Sequence, residues 1–351
     1  MKNSGKKLLI INILDILKKF SDADHRLSQK DIVELLEKEY NMKADRKSIK
    51  RNLMELIDFG FDINFTEVPR TIVSKDGTKE ESYILTDFYL EREFTDSELR
   101  LLIDSIFFSK HIPKSQCKKL VEKLSGLSNR YFQSRVRYIQ MQPDRDPGNP
   151  QLFYTIDILD EAIAKKKKVH FHYLHFQTDG KRHKKKNSDG SVKEYTVSPF
   201  QIAAANGRYY LISHSDTRNA VSNFRLDRIS DIRLSQEKAK KPEEVEELKN
   251  GLDLPKMMAE HVYMFAGKSV PVSFLAKKYV LDDLIDWFGS SIRFDKESEE
   301  DVICHVTVNE NAMRRWALQY SLHVTVLSPK SLADQVREDL KAALNNYQKA
   351  E

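Results

Sequence analysis

The first 60 residues hold three short stretches whose apolar residues recur at helical spacing, the first of them over residues 7–20. The second stretch follows Ser28, a residue type that commonly caps a helix, and Asn41 suits the left-handed backbone that ends one. The third stretch lies between Asp45, another good N-cap, and Gly60. These signals predict three short helices in succession.

A strong hairpin signal comes next. Two β-prone runs flank residues 75–78, and the pair Asp76-Gly77 at the centre is typical of a tight β-turn. Three short helices followed by a hairpin is the order of a winged helix-turn-helix. We therefore predict a DNA-binding domain of this type over residues 1–90.

The third predicted helix has an apolar side and a basic side. Ile49, Leu53, Leu56 and Ile57 recur at spacings that would pack them on the first two helices. The first turn of a recognition helix usually meets base edges, where Arg and Lys pair with guanine. The predicted DNA-binding residues are Arg46, Lys47, Ser48, Lys50 and Arg51. The alternative is a solvated basic face on an ordinary helix.

The rest of the chain divides into three parts. Residues 91–150 are largely helical in pattern and end in QPDRDPGNP, which is typical of a linker. Residues 151–240 change to short strands with close turns, which favours a small β-barrel. Residues 241–351 alternate strands with helices. The predicted fold class is α+β with several domains.

Composition excludes several classes of protein. The chain is 40% hydrophobic and 32% charged, which is typical of a folded globular protein. No apolar run approaches the roughly 20 residues that span a bilayer, so we predict no membrane partner and a cytoplasmic location. Cys117 and Cys304 have no cysteine neighbour at metal spacing, which indicates two free thiols. The net charge of +5 permits a polyanionic partner without requiring one.

The sequence lacks familiar catalytic motifs. It has no phosphate-binding glycine loop, no GxSxG and no HExxH. Four histidines cluster between residues 170 and 183, but no carboxylate or cysteine stands at ligand spacing. We predict a binding protein rather than an enzyme, without cofactor or metal.

The stretches GRYYL (207–211) and FRLDRI (224–229) resemble the signature of WYL-domain transcriptional regulators. The runs HFHY and YTVSPFQI and the C-terminal LSPKSLADQVREDL fit the same family. Tyr209 stands at the family's tryptophan position and keeps a large aromatic ring there. The resemblance implies an N-terminal winged helix, a WYL domain with an SH3- or Sm-like barrel over residues 151–240, and a C-terminal WCX domain over residues 241–351.

The resemblance also implies a repressor that senses a nucleotide or a short single-stranded nucleic acid at its WYL domain, and a link to phage defence. The ligand-binding candidates carried over by motif are Tyr173, Tyr210, Ser213, His214, Arg225 and Arg228. Arginine donors match phosphate, and tyrosine rings offer faces for bases. Strand alternation places Tyr210 and His214 on the face opposite Ser213. For the two arginines the alternative is an internal salt bridge with Asp227 or Asp231.

Two functions remain open from the residues. The first is a homodimeric regulator that binds a palindromic duplex operator and responds to its ligand. The second is an RNA or single-strand binding protein that works through the barrel, with the lysine runs at 165–168 and 181–186 as an electrostatic funnel. Such runs are otherwise ordinary solvated loops.

Overall fold

The computed structural model describes residues 8–73, 79–109, 112–136, 148–249 and 251–349. The chain divides into two compact units. The first comprises Met1–Phe108 with Lys114–Asp146, and the second comprises Ser109–Pro113 with Pro147–Glu351. The division of the sequence into four parts stays a prediction.

The first unit begins with three helices and a hairpin. These elements are α1 (Leu9–Phe20), α2 (Gln29–Tyr40), α3 (Arg46–Phe59), β1 (Ile63–Val73) and β2 (Lys79–Leu90). Ser28 and Asp31 form a reciprocal capping box, Asp45 caps α3, and Asn41 and Gly60 end α2 and α3 with positive φ. The sequence signals for the three helices are thereby confirmed. The predicted Asp76-Gly77 turn lies outside the described residues.

An apolar core holds the helices and the hairpin together. Ile13, Ile32, Ile49 and Leu53 are fully buried between the helices, and Phe88 of β2 closes the core. The segment between α1 and α2 is also fixed to the hairpin, because Leu27 and Phe88 exchange two backbone hydrogen bonds of 2.8 Å. The helices and the hairpin therefore form one folded body.

Three further helices complete the described part of the first unit. They are α4 (Asp96–Phe108), α5 (Lys114–Ser125) and α6 (Arg130–Val136). A capping box of Thr95 and Glu98 starts α4. Leu99, Ile103 and Phe132 form the small core between these helices. The predicted linker at 142–150 lies largely outside the described residues.

The second unit starts with a helix and a six-stranded sheet. The elements are α7 (Leu152–Lys165), β3 (Lys167–Phe176), β4 (Arg182–Lys184), β5 (Glu194–Ala205), β6 (Arg208–Ser215), β7 (Ala220–Arg225) and β8 (Ile229–Lys238). The strands run in the order β4-β3-β5-β6-β7, and β8 pairs with β3. Asn206 and Gly207 both have positive φ and make the tight turn between β5 and β6, one of the close turns predicted for this region.

The sheet of the second unit is not a closed barrel. Among the described strands, β7 and β8 do not pair with each other, and a single turn of 3₁₀ helix, Leu226–Arg228, connects them. The SH3- or Sm-like barrel implied by the resemblance is therefore seen only as an open sheet. Its inner face nonetheless forms a core, with Phe171, Val197 and Leu211 fully buried.

The last part of the second unit is a βαββαβ module preceded by a short helix. Its elements are α8 (Leu254–Glu260), β9 (Ser269–Lys277), α9 (Leu281–Phe288), β10 (Arg293–Glu297), β11 (Asp301–Asn309), α10 (Glu310–Gln319), β12 (Val324–Ser328) and α11 (Lys330–Gln348). The sheet has the antiparallel order β10-β11-β9-β12, which is the ferredoxin-like arrangement. Trp316 and Phe274 fill the core beneath the sheet.

The two parts of the second unit are joined by side-chain hydrogen bonds. Asn206 Nδ2 donates to the carbonyl of Val262 at 2.6 Å, and Asn223 Nδ2 donates to that of Met264 at 3.1 Å. Met264 is buried against Ile212 on the outer face of the sheet. The segment ahead of β9 is thus fixed to β5, β6 and β7.

Candidate DNA-reading helix and arginine cluster

The basic face of α3 is open to solvent. Arg46, Lys47, Lys50 and Arg51 are all exposed. Within the described part of the chain, the side chains of the first three make no hydrogen bond or ion pair. Arg51 Nε lies 3.8 Å from Glu55 Oε1, and an exposed pair at that distance contributes little. Four cations are therefore available on one helix surface for a polyanion.

Ser48, the fifth predicted residue of this face, is half-buried and already engaged. Its backbone N–H donates to Asp45 Oδ1 at 2.9 Å, and its hydroxyl donates to Oδ2 at 2.7 Å. These hydrogen bonds lower the pKa of Asp45 and fix the start of α3. Ser48 therefore holds the first turn in place, next to Arg46 and Lys47.

A buried carboxylate organises the second candidate site. Asp227 is 1% exposed, and burial alone would raise its pKa. Arg225 overrides that effect by donating from Nε to Oδ1 at 3.0 Å and from Nη2 to Oδ2 at 2.6 Å, so that the pKa is lowered. Arg208 Nη1 and Arg182 Nη2 lie 3.6 and 3.7 Å from the same Oδ2. Three guanidiniums thus converge on one carboxylate.

Arg228 adds a fourth guanidinium to this place. Its charge helps to lower the pKa of Arg208, after the larger effects of burial and of Arg225. Arg228 Nε is buried without a hydrogen-bond partner among the described residues, and no acid there pairs with the side chain. We name Arg182, Arg208, Arg225 and Arg228, together with Asp227, the arginine cluster. Such convergent donors match a phosphate or carboxylate group.

The two predicted tyrosines lie on opposite faces of the sheet. Tyr173 belongs to the inner core, where its ring packs against Phe224 and its hydroxyl accepts the backbone N–H of Arg225 at 3.1 Å. Burial raises its pKa. Tyr210 is opposite Arg225 in the β6–β7 register and is half-buried on the outer face. Of the two tyrosines, Tyr210 is therefore the one whose ring lies on the outer face beside the cluster.

Ser213 and His214 are enclosed in the fold. Ser213 is fully buried, and its hydroxyl donates to the carbonyl of Ser222. His214 is 2% exposed, with Nε2 3.1 Å from Asn219 Oδ1 and 3.4 Å from Lys240 Nζ. The structure therefore brings Tyr210, Arg225 and Arg228 together. It buries Ser213 and His214 away from an open surface. The ligand-binding role of all six residues stays a prediction.

Three members of the arginine cluster, Arg182, Arg208 and Asp227, were not predicted from the sequence as parts of a site. Arg208 was recognisable, because strand alternation puts it on the face of Tyr210, two residues away. Arg182 stands in a basic run that looks like a loop, and β4 is too short and too charged to show a strand pattern. Its approach to Asp227 depends on sheet pairing alone.

The lysine runs are largely committed to the domain that bears them. Lys168 bridges Asp216 and Glu237, each at 2.8 Å. Lys184 pairs with Asp231 at 2.8 Å, and Lys165 pairs with Glu161. These contacts favour the ordinary structural explanation of the runs over an electrostatic funnel.

Other site types find no support in the residues that the structure describes. These residues contain no group of three His, Cys, Asp or Glu placed to hold a metal ion. None of the described helices is long and apolar enough to cross a membrane. Cys117 and Cys304 are buried free thiols, and burial raises the pKa of Cys304 to about 11.

Comparison with known proteins identifies two domains. The family model of the WYL domain matches residues 154–234, and that of the WCX domain matches residues 268–344. The matched ranges coincide with the α7–β8 sheet domain and with the βαββαβ module. No curated protein matches the chain.

Two solved structures resemble the chain distantly. One is proteasome accessory factor B/C (PafBC) of Arthrobacter aurescens, at 16% identity and a TM-score of 0.28, covering 97% of this chain and 48% of that one. The other is a CRISPR Cas-related protein, at 12% identity and a TM-score of 0.38, covering 100% of this chain and 88% of that one. The chain therefore spans about half the length of PafBC.

Proposed function

We propose that this chain, which contains a WYL domain followed by a WCX domain, is a DNA-binding transcriptional regulator. The observation that carries the proposal is the exposed cationic face of α3. Its WYL domain would bind a nucleotide-like or short nucleic-acid ligand at the arginine cluster. Binding of this ligand would control whether the protein represses transcription. It would need no cofactor and catalyse no reaction.

The first unit supports the DNA-binding part of this proposal. Three helices are followed by a hairpin, and Leu27 bridges Phe88 of β2 in the manner of a third strand. The apolar side of α3 is buried, while Arg46, Lys47 and Lys50 are exposed to solvent and have no partner among the described residues. A helix anchored in this way presents its first turn to a major groove. We infer a winged helix-turn-helix.

The arginine cluster supports the ligand-binding part. Arg225 donates two hydrogen bonds to Asp227. Arg228, in contrast, has a buried Nε with no partner among the described residues. A buried unpaired donor is costly unless a further group satisfies it. An anionic group beside Tyr210 would do so, with the tyrosine ring available to stack on a base.

The duplex preference of the whole protein tests the proposal. We expect the full chain to bind one duplex, taken from upstream of its own gene, at least about 10³-fold more tightly than a scrambled duplex at the same salt concentration. Fluorescence anisotropy with both duplexes and with each single strand measures this. Equal affinity for every duplex, with tighter binding to single strands, would establish the single-strand or RNA-binding alternative instead.

Two arginine variants separate ligand binding from stability. Arg228→Ala should abolish binding of pyrophosphate or a dinucleotide without lowering the free energy of unfolding, because it removes a buried donor that has no partner among the described residues and a like charge beside Arg208. Arg225→Ala should cost about 2 kcal/mol, because it removes two charge-assisted hydrogen bonds from a buried carboxylate. Isothermal titration and urea unfolding measure the two quantities. Unchanged ligand affinity in the folded Arg228→Ala protein would remove Arg228 from the site.

A further inference from the structure

A second basic surface of the first unit lies on α5 and α6, outside the first three helices and the hairpin. Residues 114–136 contain six Lys or Arg and one Asp or Glu. Their excess of five positive charges equals the formal net charge of +5 of the whole chain, so that the other residues together carry no net charge. Such a local concentration of charge attracts a polyanion even where the overall charge is modest.

α5 keeps this charge apart from its apolar residues. Val121 and Leu124 pack against the small core between α4, α5 and α6. Lys118, Lys119 and Lys123 lie on the other side of the helix and are exposed. Their side chains make no hydrogen bond or ion pair with any residue that the structure describes. We name these three residues the lysine face of α5.

The lysine face differs from the lysine runs of the second unit. In those runs Lys168 and Lys184 are held by acids of the same domain, at 2.8 Å. On α5 the single acid is Glu122, which is exposed and forms no ion pair with the described lysines. The lysine face therefore offers three cations to a partner from outside.

The exposed residues of α5 select a phosphate backbone as this partner. A helix that enters a membrane surface exposes an apolar side as well, and a site for single strands exposes aromatic rings for their bases. Protein interfaces are depleted in lysine. Along α5, which the structure describes in full, every exposed residue is polar: Lys114, Ser115, Lys118, Lys119, Glu122 and Lys123. A duplex requires only positive charge, because its phosphates face outward.

The lysine face is held in one folded body with α3. α5 packs on α6 through Phe132, and α6 begins beside the end of α1. Asn129 Nδ2 donates to the carbonyl of Ser21 at 3.4 Å, and the rings of His25 and Tyr131 stack with their centroids 3.6 Å apart. α1 in turn shares its apolar core with α3. The two basic helices therefore act on DNA as parts of one unit.

We propose that the lysine face of α5 binds the phosphate backbone of duplex DNA, as a second contact that does not depend on base sequence. Each lysine neutralises one phosphate and releases the counterions condensed there. Contacts to phosphate position a protein on the duplex, whereas contacts to base edges specify the sequence. This inference rests on the proposed binding of DNA but not on its sequence preference, so that the two can fail separately.

Lys118→Ala/Lys119→Ala/Lys123→Ala should weaken binding of the operator duplex and of a scrambled duplex by the same factor, at least about tenfold at about 0.1 M salt. The slope of log K against log salt concentration should decrease by about 2–3, one for each phosphate no longer neutralised. The preference for the operator should stay within about twofold, because no base contact is lost. Fluorescence anisotropy with the full chain measures these quantities, and circular dichroism establishes that the fold persists.

Two further variants separate this contact from a general effect of charge. Lys330→Ala/Lys341→Ala/Lys349→Ala removes the same charge from exposed lysines of the second unit and should leave both affinities within about twofold. Replacing Lys118, Lys119 and Lys123 by arginine instead should preserve both affinities, because arginine also carries a full positive charge and binds phosphate.

The outcomes distinguish the lysine face from the proposed regulator. Equal binding of both duplexes by the parent, with a loss on both in the α5 alanine variant, would contradict the regulator and support the lysine face. Unchanged affinity and salt slope in that variant would overturn the lysine face and leave the regulator intact. A loss confined to the operator duplex, or a parent that binds no duplex at low salt, would overturn the lysine face as well.

Discussion

Asp227→Asn should lower the free energy of unfolding by about 3–5 kcal/mol, the decrease expected when one partner of a buried ion pair is removed. The carboxylate is 1% exposed and meets Arg225, Arg208 and Arg182 within 3.7 Å. An asparagine amide keeps the shape but removes the charge, so that guanidiniums crowd together around a neutral group. Phosphate or sulfate at high concentration should restore part of the stability of the variant, because an anion replaces the missing charge.

Asp231→Asn is the matched control for this variant. Asp231 stands four residues further along, is 44% exposed and pairs with Lys184 at 2.8 Å. An exposed pair of this kind contributes about 1 kcal/mol or less. Urea unfolding of the two variants and the parent gives the comparison. Equal stability of Asp227→Asn and Asp231→Asn would mean that the cluster is solvated and has no need of its central acid.

The pH dependence of the free energy of unfolding follows from the lowered pKa of Asp227. A carboxyl group with a folded pKa below its unfolded value of about 3.9 stabilises the fold above that value. The stabilisation disappears as the pH falls through the folded pKa. The parent protein should therefore lose its advantage over Asp227→Asn below about pH 4, which urea unfolding at a series of pH values measures.

Lys47→Ala/Arg51→Ala should weaken binding of the operator duplex by roughly 10- to 100-fold and reduce the salt dependence of log K by about 2, one for each phosphate that the variant no longer neutralises. Both residues are exposed on α3, and neither contributes to the core. The fold should therefore persist, which circular dichroism and thermal unfolding establish. Fluorescence anisotropy at several salt concentrations measures the affinity.

Arg337→Ala/Lys341→Ala on α11 is the matched control for this variant. These residues are one Arg and one Lys, also four apart on a helix, so that the net charge changes equally. Arg337 pairs with a nearby acid at 2.9 Å, as Arg51 pairs with Glu55. If both double variants bind the duplex as tightly as the parent, α3 is not the DNA-reading helix.

Helix boundaries were predictable because their signals are local. Ser28, Asp45 and Thr95 each accept a hydrogen bond from a backbone N–H three residues further on, so that both partners stand close together in the sequence. The same holds for the turn at Asn206, whose side chain and backbone suit positive φ. Such elements can be predicted from one sequence because their interactions join residues that are close together in the chain.

The candidate site depended on longer-range pairing. Arg182 reaches Asp227 across 45 residues because β4 pairs with β3, and no periodicity in the sequence marks that contact. The opening between β7 and β8 likewise follows from how the chain turns at Leu226–Arg228. Of the two predicted arginines, Arg225 forms the internal salt bridge with Asp227 that was the alternative to anion binding, whereas Arg228 pairs with no acid among the described residues. Anion binding by either residue stays a prediction.

The amide hydrogen bonds of Asn206 and Asn223 have a mechanical consequence. They bind the carbonyls of Val262 and Met264, which lie two residues apart in the segment ahead of β9. The two donors stand at different positions of the sheet. A single hydrogen bond would let this segment rotate about its attachment, whereas two hydrogen bonds restrict that rotation. A displacement of the sheet at Asn206 and Asn223 would therefore move the segment ahead of β9 with it, because hydrogen bonds hold that segment at two positions.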